Sequence, residues 1–138
     1  PGWKYLLNVM EYGAALRTSE PAYGEAITDA LLRARQGDPL TELLLHSVRQ
    51  DFLLSLAKMA ARGELRKGVD REHLATLLLG NYWSTFMMMN KGLESISRMK
   101  VSLMVNVLSL LITSSQGGAR EELERILEDV RRGMPSHA

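Results

Sequence analysis

The chain has 138 residues, of which 46% are hydrophobic and 24% charged, the balance of one globular domain with a hydrophobic core. Its 17 basic and 16 acidic side chains are interspersed, so the sequence has no basic stripe of the kind that binds nucleic acid. The chain has no cysteine, which excludes disulfide bonds, thiolate zinc sites and cysteine nucleophiles. Abundant Leu and Met with few β-branched residues favour helix over sheet.

Apolar spacing predicts an all-α fold of about five or six helices in an antiparallel bundle, without a strand. The first helix is expected over Gly2 to Arg17, where apolar residues recur every three or four positions. The segment "TSEP" interrupts this pattern. We therefore expect Ser19 to be the N-cap of a second helix that carries Pro21 in its first turn.

Punctuation residues mark the later helices. In "QGDPL", Gly37 can end one helix in a left-handed conformation, Asp38 can cap the next, and Pro39 fits its first turn. Asp70 is the expected cap of a further helix. The last helix is predicted over Ala119 to Arg132, with Glu–Arg pairs at i,i+4 on its outer side.

Two stretches, Leu74 to Asn90 and Val101 to Ala119, contain no charged residue. A helix on the surface of a monomer normally shows a charged face, so a partner is expected to cover these two. Both stretches contain Ser, Thr and Asn, and a bilayer span needs roughly 20 predominantly apolar residues, so we expect no membrane segment. Two antiparallel helices from each of two identical subunits would form a four-helix bundle across a homodimer. The alternative is that one of the two is the central helix of a monomer.

The predicted dimer interface draws on both uncharged helices. Its residues are Leu78, Asn81, Thr85, Met88, Val101, Met104, Val105, Leu108, Leu111 and Ile112.

The run "NYWSTFMMMNKG" combines aromatic residues with three consecutive methionines. Met adapts to more than one shape, and Trp and Tyr offer apolar area with a polar group, which suits the wall of a cavity for an apolar or aromatic molecule. The alternative is that the run is plain core. The predicted ligand-binding residues are Met10, Tyr12, Phe52, Leu56, Met59, Tyr82, Trp83, Phe86 and Met87.

Catalytic and metal-binding patterns are missing from the sequence. The three histidines, His46, His73 and His137, lack ligand spacing, and no nucleophile elbow, P-loop or dinucleotide fingerprint occurs. His46 is the one candidate for orienting a polar ligand group. We therefore expect no enzyme, no cofactor and no metal.

The segment from Leu43 to Trp83, and "AARGELRKGVDREHLATLLLG" within it, resembles the C-terminal domain of TetR-family (tetracycline-repressor-like) transcriptional regulators. The resemblance implies an all-helical domain that binds a small molecule and dimerises through its last two principal helices. In that family a helix-turn-helix head binds operator DNA, and no residues upstream of Pro1 are present to supply one.

The resemblance implies a ligand-binding and dimerisation domain over residues 1–134, a flexible tail over 135–138, and a parent protein that carries the DNA-binding head. Its function would be that of a cytoplasmic repressor that releases operator DNA when a small hydrophobic or aromatic effector binds. The alternatives are a helical interaction module with a filled core and, with less support, an enzyme on a helical scaffold.

Overall fold

The computed structural model describes residues 1–133, apart from the side chains of residues 16–18. These residues form an all-α fold, as predicted, and the tail predicted for residues 135–138 lies outside them. The helices are α1 (Gly2–Ser19), α2 (Pro21–Arg33), α3 (Pro39–Ala61), α4 (Arg71–Asn90), α5 (Ile96–Ser114) and α6 (Gly117–Arg132).

The predicted caps of α3 and α4 are confirmed. Gly37 has a φ of 89°, which lets the chain turn before α3 at little steric cost, but α2 ends at Arg33 and not at Gly37 as predicted. The carboxylate of Asp38 accepts hydrogen bonds from the amides of Leu40, at 3.1 Å, and Thr41, at 3.3 Å. Asp70 accepts from the amide of His73 at 3.0 Å. These side chains satisfy amides that the first turn of a helix leaves without a partner.

The predicted cap of α2 was wrong, although Pro21 lies in the first turn of this helix as predicted. Helix α1 continues to Ser19, whose hydroxyl donates to the carbonyl of Ala15 at 3.1 Å and so cannot cap the next helix. The N-cap of α2 is Glu20, which makes no side-chain capping hydrogen bond.

Helix α6 differs from the prediction at its start and in one ion pair. It begins at Gly117, two residues before Ala119. The predicted ion pair between Glu128 and Arg132 is present. Arg125 instead donates its Nε–H to the carbonyl of Glu121 rather than to that residue's carboxylate.

Side chains from α1, α3, α4 and α5 form one main core, which Leu123 of α6 also enters. Helix α6 packs on α5, and α2 packs on α1 and α4. An antiparallel bridge between Leu65 and Ser115 joins the loop before α4 to the junction of α5 and α6. Helices α4 and α5 pack against each other, and each has one side in the core and the other toward solvent.

Candidate ligand-binding core and candidate dimer face

An aromatic cluster lies on the inner side of α4. The Tyr82 ring lies 5.1 Å from the ring of Trp83 and 6.3 Å from that of Phe86, centre to centre. Phe52 of α3 meets Tyr82 edge to face at 6.0 Å, and Trp83 meets Phe86 in the same way at 5.3 Å. These are favourable separations for aromatic pairs, so α3 and α4 share an aromatic wall.

Tyr82 is held against α1 at a glycine. A Cβ atom on Gly13 would lie 2.6 Å from the Tyr82 hydroxyl oxygen, so a larger residue at this helix crossing would force the Tyr82 ring to move. Burial, with smaller contributions from Tyr12 and Asp51, raises the pKa of Tyr82 to about 12. The phenol is therefore neutral at physiological pH, and its environment disfavours the phenolate.

Several polar atoms near this cluster are buried without a partner. The indole Nε1 of Trp83 and the hydroxyl of Ser55 make no hydrogen bond with any described residue. Ser55 follows Phe52 by one turn of α3 and is fully buried. Buried polar groups are usually paired, with protein or with ordered water, so these two are sites where a further molecule could bind.

Most of the predicted ligand-binding residues are placed together. Met87 is half-buried, and Tyr12 is 65% exposed, because it lies on the outward side of α1 next to the buried Gly13. Tyr12 is therefore not part of an interior wall. The buried members are Met10, Phe52, Leu56, Met59, Tyr82, Trp83 and Phe86.

Three clefts are lined entirely by described residues, and none of the predicted ligand-binding residues lines them. One cleft of about 380 Å³ lies where the loop before α4 meets the end of α5, with His73 and Leu77 in its wall. His46 is exposed on α3 and does not line any of these three clefts.

The sides of α4 and α5 that face away from the core form a continuous surface, which we call the outer face. Leu77 and Met88 are 40% and 38% exposed, and Val101 and Val105 are half-buried and do not pack against the core. Between the two helices runs a groove of about 430 Å³. The outer face consists of Leu77, Asn81, Ser84 and Met88 of α4 and Val101, Val105, Asn106, Ser109 and Thr113 of α5.

Four polar side chains of the outer face bond to backbone carbonyls of their own helices. Asn81 donates to the carbonyl of Leu77 at 3.1 Å, and Ser109 donates to that of Val105 at 2.7 Å. Ser84 and Thr113 each donate to a backbone carbonyl in the preceding turn. Because these donors are already satisfied, covering them with apolar atoms costs less than burying free hydroxyl or amide groups.

The predicted dimer residues divide between the two sides of the helices. Leu78, Thr85, Leu108 and Leu111 are buried in the chain's own core, so a partner has no access to them in this conformation. This corrects their assignment to the partner side. The predicted residues that remain accessible are Asn81, Met88, Val101, Met104, Val105 and Ile112.

Sequence reasoning missed several members of the outer face. Leu77, Asn106 and Thr113 were not among the predicted interface residues, although a signal was present. Together with Asn81, Ser84 and Ser109 they recur at three- and four-residue spacing within the uncharged stretches, and small or neutral polar residues follow one side of each helix.

Among the described residues, α5 is the one helix long and apolar enough to cross a bilayer by length and composition. Its mean hydropathy is 1.4, and 28% of the stretch is buried within the chain. A single such helix is weak evidence for a membrane segment, because core helices of water-soluble proteins pass the same test. Within residues 1–133, no group of three His, Asp or Glu side chains is placed to hold a metal ion.

Comparison with protein-family models, with curated proteins and with solved structures finds no match to this chain.

Proposed function

We propose that the chain is the effector-binding and dimerisation domain of a cytoplasmic, ligand-responsive transcriptional regulator similar to the TetR family. The observation that carries the proposal is the outer face, an uncharged surface across two adjacent helices that the chain itself leaves uncovered. Operator DNA would be bound by a domain outside this chain.

The outer face suits a second copy of the same chain. Obligate interfaces are more apolar than other surfaces and are depleted of charge at their centre. The face has small or medium-sized residues along both helices, which allow close approach, and its hydroxyl groups are satisfied internally. A two-fold axis through the groove between Asn81 and Asn106 would bring α4 and α5 of two subunits into a four-helix bundle.

The aromatic cluster suits a small hydrophobic or aromatic effector. Tyr82, Trp83 and Phe86 supply apolar area, and the unpaired Nε1–H of Trp83 would donate to an acceptor on the ligand. The nearest charged residue along α3, Asp51, is half-buried, and α4 has no charged residue from Leu74 to Asn90. A neutral molecule with a carbonyl, ether or hydroxyl oxygen is therefore the class of effector that this interior favours.

The regulatory mechanism would be a shift in population. Tyr82 and Trp83 lie on the inner side of α4 while Asn81 and Ser84 lie on its outer side, so one helix joins the effector site to the dimer face. An effector that binds one position of α4 more tightly than another would shift the population toward that position, by an amount set by the difference in affinity. The spacing of the two DNA-binding domains would change with the position of α4.

The test is native mass spectrometry of the purified 138-residue chain and of two variants, Trp83→Phe and Trp83→Ala. We expect the wild-type chain to be a dimer that carries additional small-molecule mass. Trp83→Ala should remain a dimer and lose that mass, while Trp83→Phe, which keeps an aromatic ring, should retain part of it. A monomeric wild-type chain at micromolar concentration would argue against the proposal.

A second candidate, an interaction module with a filled core, is favoured by one observation. The aromatic rings already contact one another at 5.1–6.3 Å, and Phe52, Leu56 and Met59 are fully buried without any ligand. A dimer that never carries extra mass, in either the wild-type chain or Trp83→Phe, would favour this second function.

A further inference from the structure

Helix α2 is attached to the rest of the domain by an unusual contact. It packs on α1 and α4, and its two fully buried residues are Gly24 and Thr28. Its large apolar residues are mostly in solvent, with Tyr23 54% and Leu32 58% exposed, while Ile27 and Leu31 are only partly covered. Helix α2 therefore gains little from the burial of apolar area.

The contact between α2 and α4 is polar and incompletely paired. Gly24 lies against the amide of Asn90, where a Cβ atom on α2 would overlap the side-chain oxygen. The Nδ2 of Asn90 donates to the carbonyl of Phe86 at 2.7 Å, which fixes the orientation of the amide. Its Oδ1 and the hydroxyl of Thr28 are buried and have no hydrogen-bond partner among the described residues.

These two atoms destabilise the packed position of α2. When α2 lifts away, water can bond to both Thr28 and Asn90, so opening regains hydration that the closed contact lacks. The ion pair between Asp29 and Lys91 opposes opening, but both side chains are more than two-fifths exposed, so water screens it.

The connections on either side of α2 also permit movement. Glu20 alone separates α1 from α2, and it makes no side-chain cap. Residues 34–38 join α2 to α3 and include Gly37 in a left-handed conformation. Helix α6 differs because Leu123 is fully buried in the main core and the helix packs extensively on α5, whereas α2 brings only the partly buried Ile27 and Leu31 to that core.

We propose that α2 is a gate, which lifts from α1 and α4 as a unit while the remaining helices stay folded. Opening uncovers Asn90 and the last turn of α4, one turn from Phe86 at the edge of the aromatic cluster. The gate goes beyond the proposed function, because it opens without ligand or partner. Its test is independent of whether the chain binds an effector or forms a dimer.

The test is amide hydrogen exchange, followed by mass spectrometry, on the ligand-free 138-residue chain. The amides of α2 should exchange at least about tenfold faster than those in the central turns of α3 and α4. Thr28→Val keeps the shape of the side chain and removes the unpaired hydroxyl, so exchange in α2 should slow by roughly tenfold. Gly24→Ala should accelerate exchange in α2, because the new methyl group pushes against Asn90.

Two matched controls separate a gate from a general change in stability. Ser55→Ala removes another buried, unpaired hydroxyl, from α3, and should leave exchange in α2 unchanged relative to the other helices. Gly118→Ala adds a methyl group on α6 where no atom lies within 4 Å, and should also spare α2. The gate is overturned if α2 is as protected as α4, if Thr28→Val leaves exchange in α2 unchanged, or if Ser55→Ala slows α2 as much as Thr28→Val does.

Discussion

Helices α5 and α6 pack against each other and contact the same core, but the sides that they turn toward solvent differ in charge. The outward side of α6 is charged, with ion pairs between Arg120 and Glu124 and between Glu128 and Arg132. The outward side of α5 has no charged residue from Val101 to its end, and only 28% of its apolar stretch is buried.

The comparison shows which of the two helices leaves apolar area that its own chain does not cover. Leu123, the single fully buried residue of α6, faces the core, and the ion pairs on the outward side of α6 are exposed to water. Helix α5 would leave apolar area in water unless a further surface covers it. Substitutions on the inner and outward sides of these helices and of α4 test the contrast.

A positive charge on the outer face should separate the dimer. In Val105→Lys the charge lies at the centre of the proposed interface, and two-fold symmetry places it there twice. The dissociation constant should rise by about 100-fold or more, since an unpaired charge in an apolar interface costs several kcal/mol. Analytical ultracentrifugation measures this change.

Glu122→Lys, an exposed position on α6, is the matched control and should leave the association unchanged. If Val105→Lys stays a dimer, the outer face is not the interface.

Truncation on the inner side of α5 should instead weaken folding. Leu108 is fully buried, so Leu108→Ala should lower the free energy of unfolding by about 2–5 kcal/mol. Val101→Ala on the outer face should cost less than about 1 kcal/mol in a chain that is already monomeric. Urea unfolding in the Val105→Lys background removes the contribution of association. Equal losses at the two positions would remove the distinction between inner and outer sides.

The burial of Tyr82 on the inner side of α4 should make the free energy of unfolding depend on pH. The pKa of Tyr82 is about 12 in the folded chain, against 10.0 for the ordinary group. The contribution of Tyr82 to the free energy of unfolding is therefore fully present below pH 10 and is lost as the pH rises toward 12. The reason is that the phenol of the unfolded chain loses its proton at a lower pH than the phenol of the folded chain. The loss is about 2–3 kcal/mol across this window.

Because other tyrosines and lysines titrate in the same range, the relevant quantity is the difference between the wild-type chain and Tyr82→Phe. Unfolding free energies from pH 9 to 12 should fall more steeply for the wild-type chain. Parallel curves would mean that the Tyr82 hydroxyl is hydrated.

The smallest effect is expected on the outward side of α6. The side chains of Arg120 and Glu124 are 49% and 51% exposed, so Glu124→Ala should change the free energy of unfolding by no more than about 0.5 kcal/mol. Thermal unfolding in low and high salt should show the same difference between variant and wild type. A loss of unfolding free energy above about 1 kcal/mol would mean that the ion pair stabilises α6 and does more than keep its outward side hydrated.

Local chemistry made several elements predictable from sequence. Asp38 and Asp70 mark helix starts because the capping of first-turn amides depends on residues next to one another. Ser19 misled for a related reason, since its hydroxyl can serve either its own helix or the next, and α1 continued far enough to use it. The candidate site was predicted less completely, because Tyr12 and His46 lie on helices whose outward sides only packing reveals.

Residue type and spacing within a few positions were enough to predict that the chain is helical, where α3 and α4 begin, and that the stretches Leu74 to Asn90 and Val101 to Ala119 carry no charge. Which side of each uncharged stretch is buried depended on tertiary packing, because a side of small, neutral polar residues can face either a core or a second subunit. Tertiary packing placed Leu108 and Thr85 inside, left Leu77 and Val105 outside, and set Gly24 and Thr28 against Asn90, contacts between residues distant in the sequence that depend on how whole helices pack.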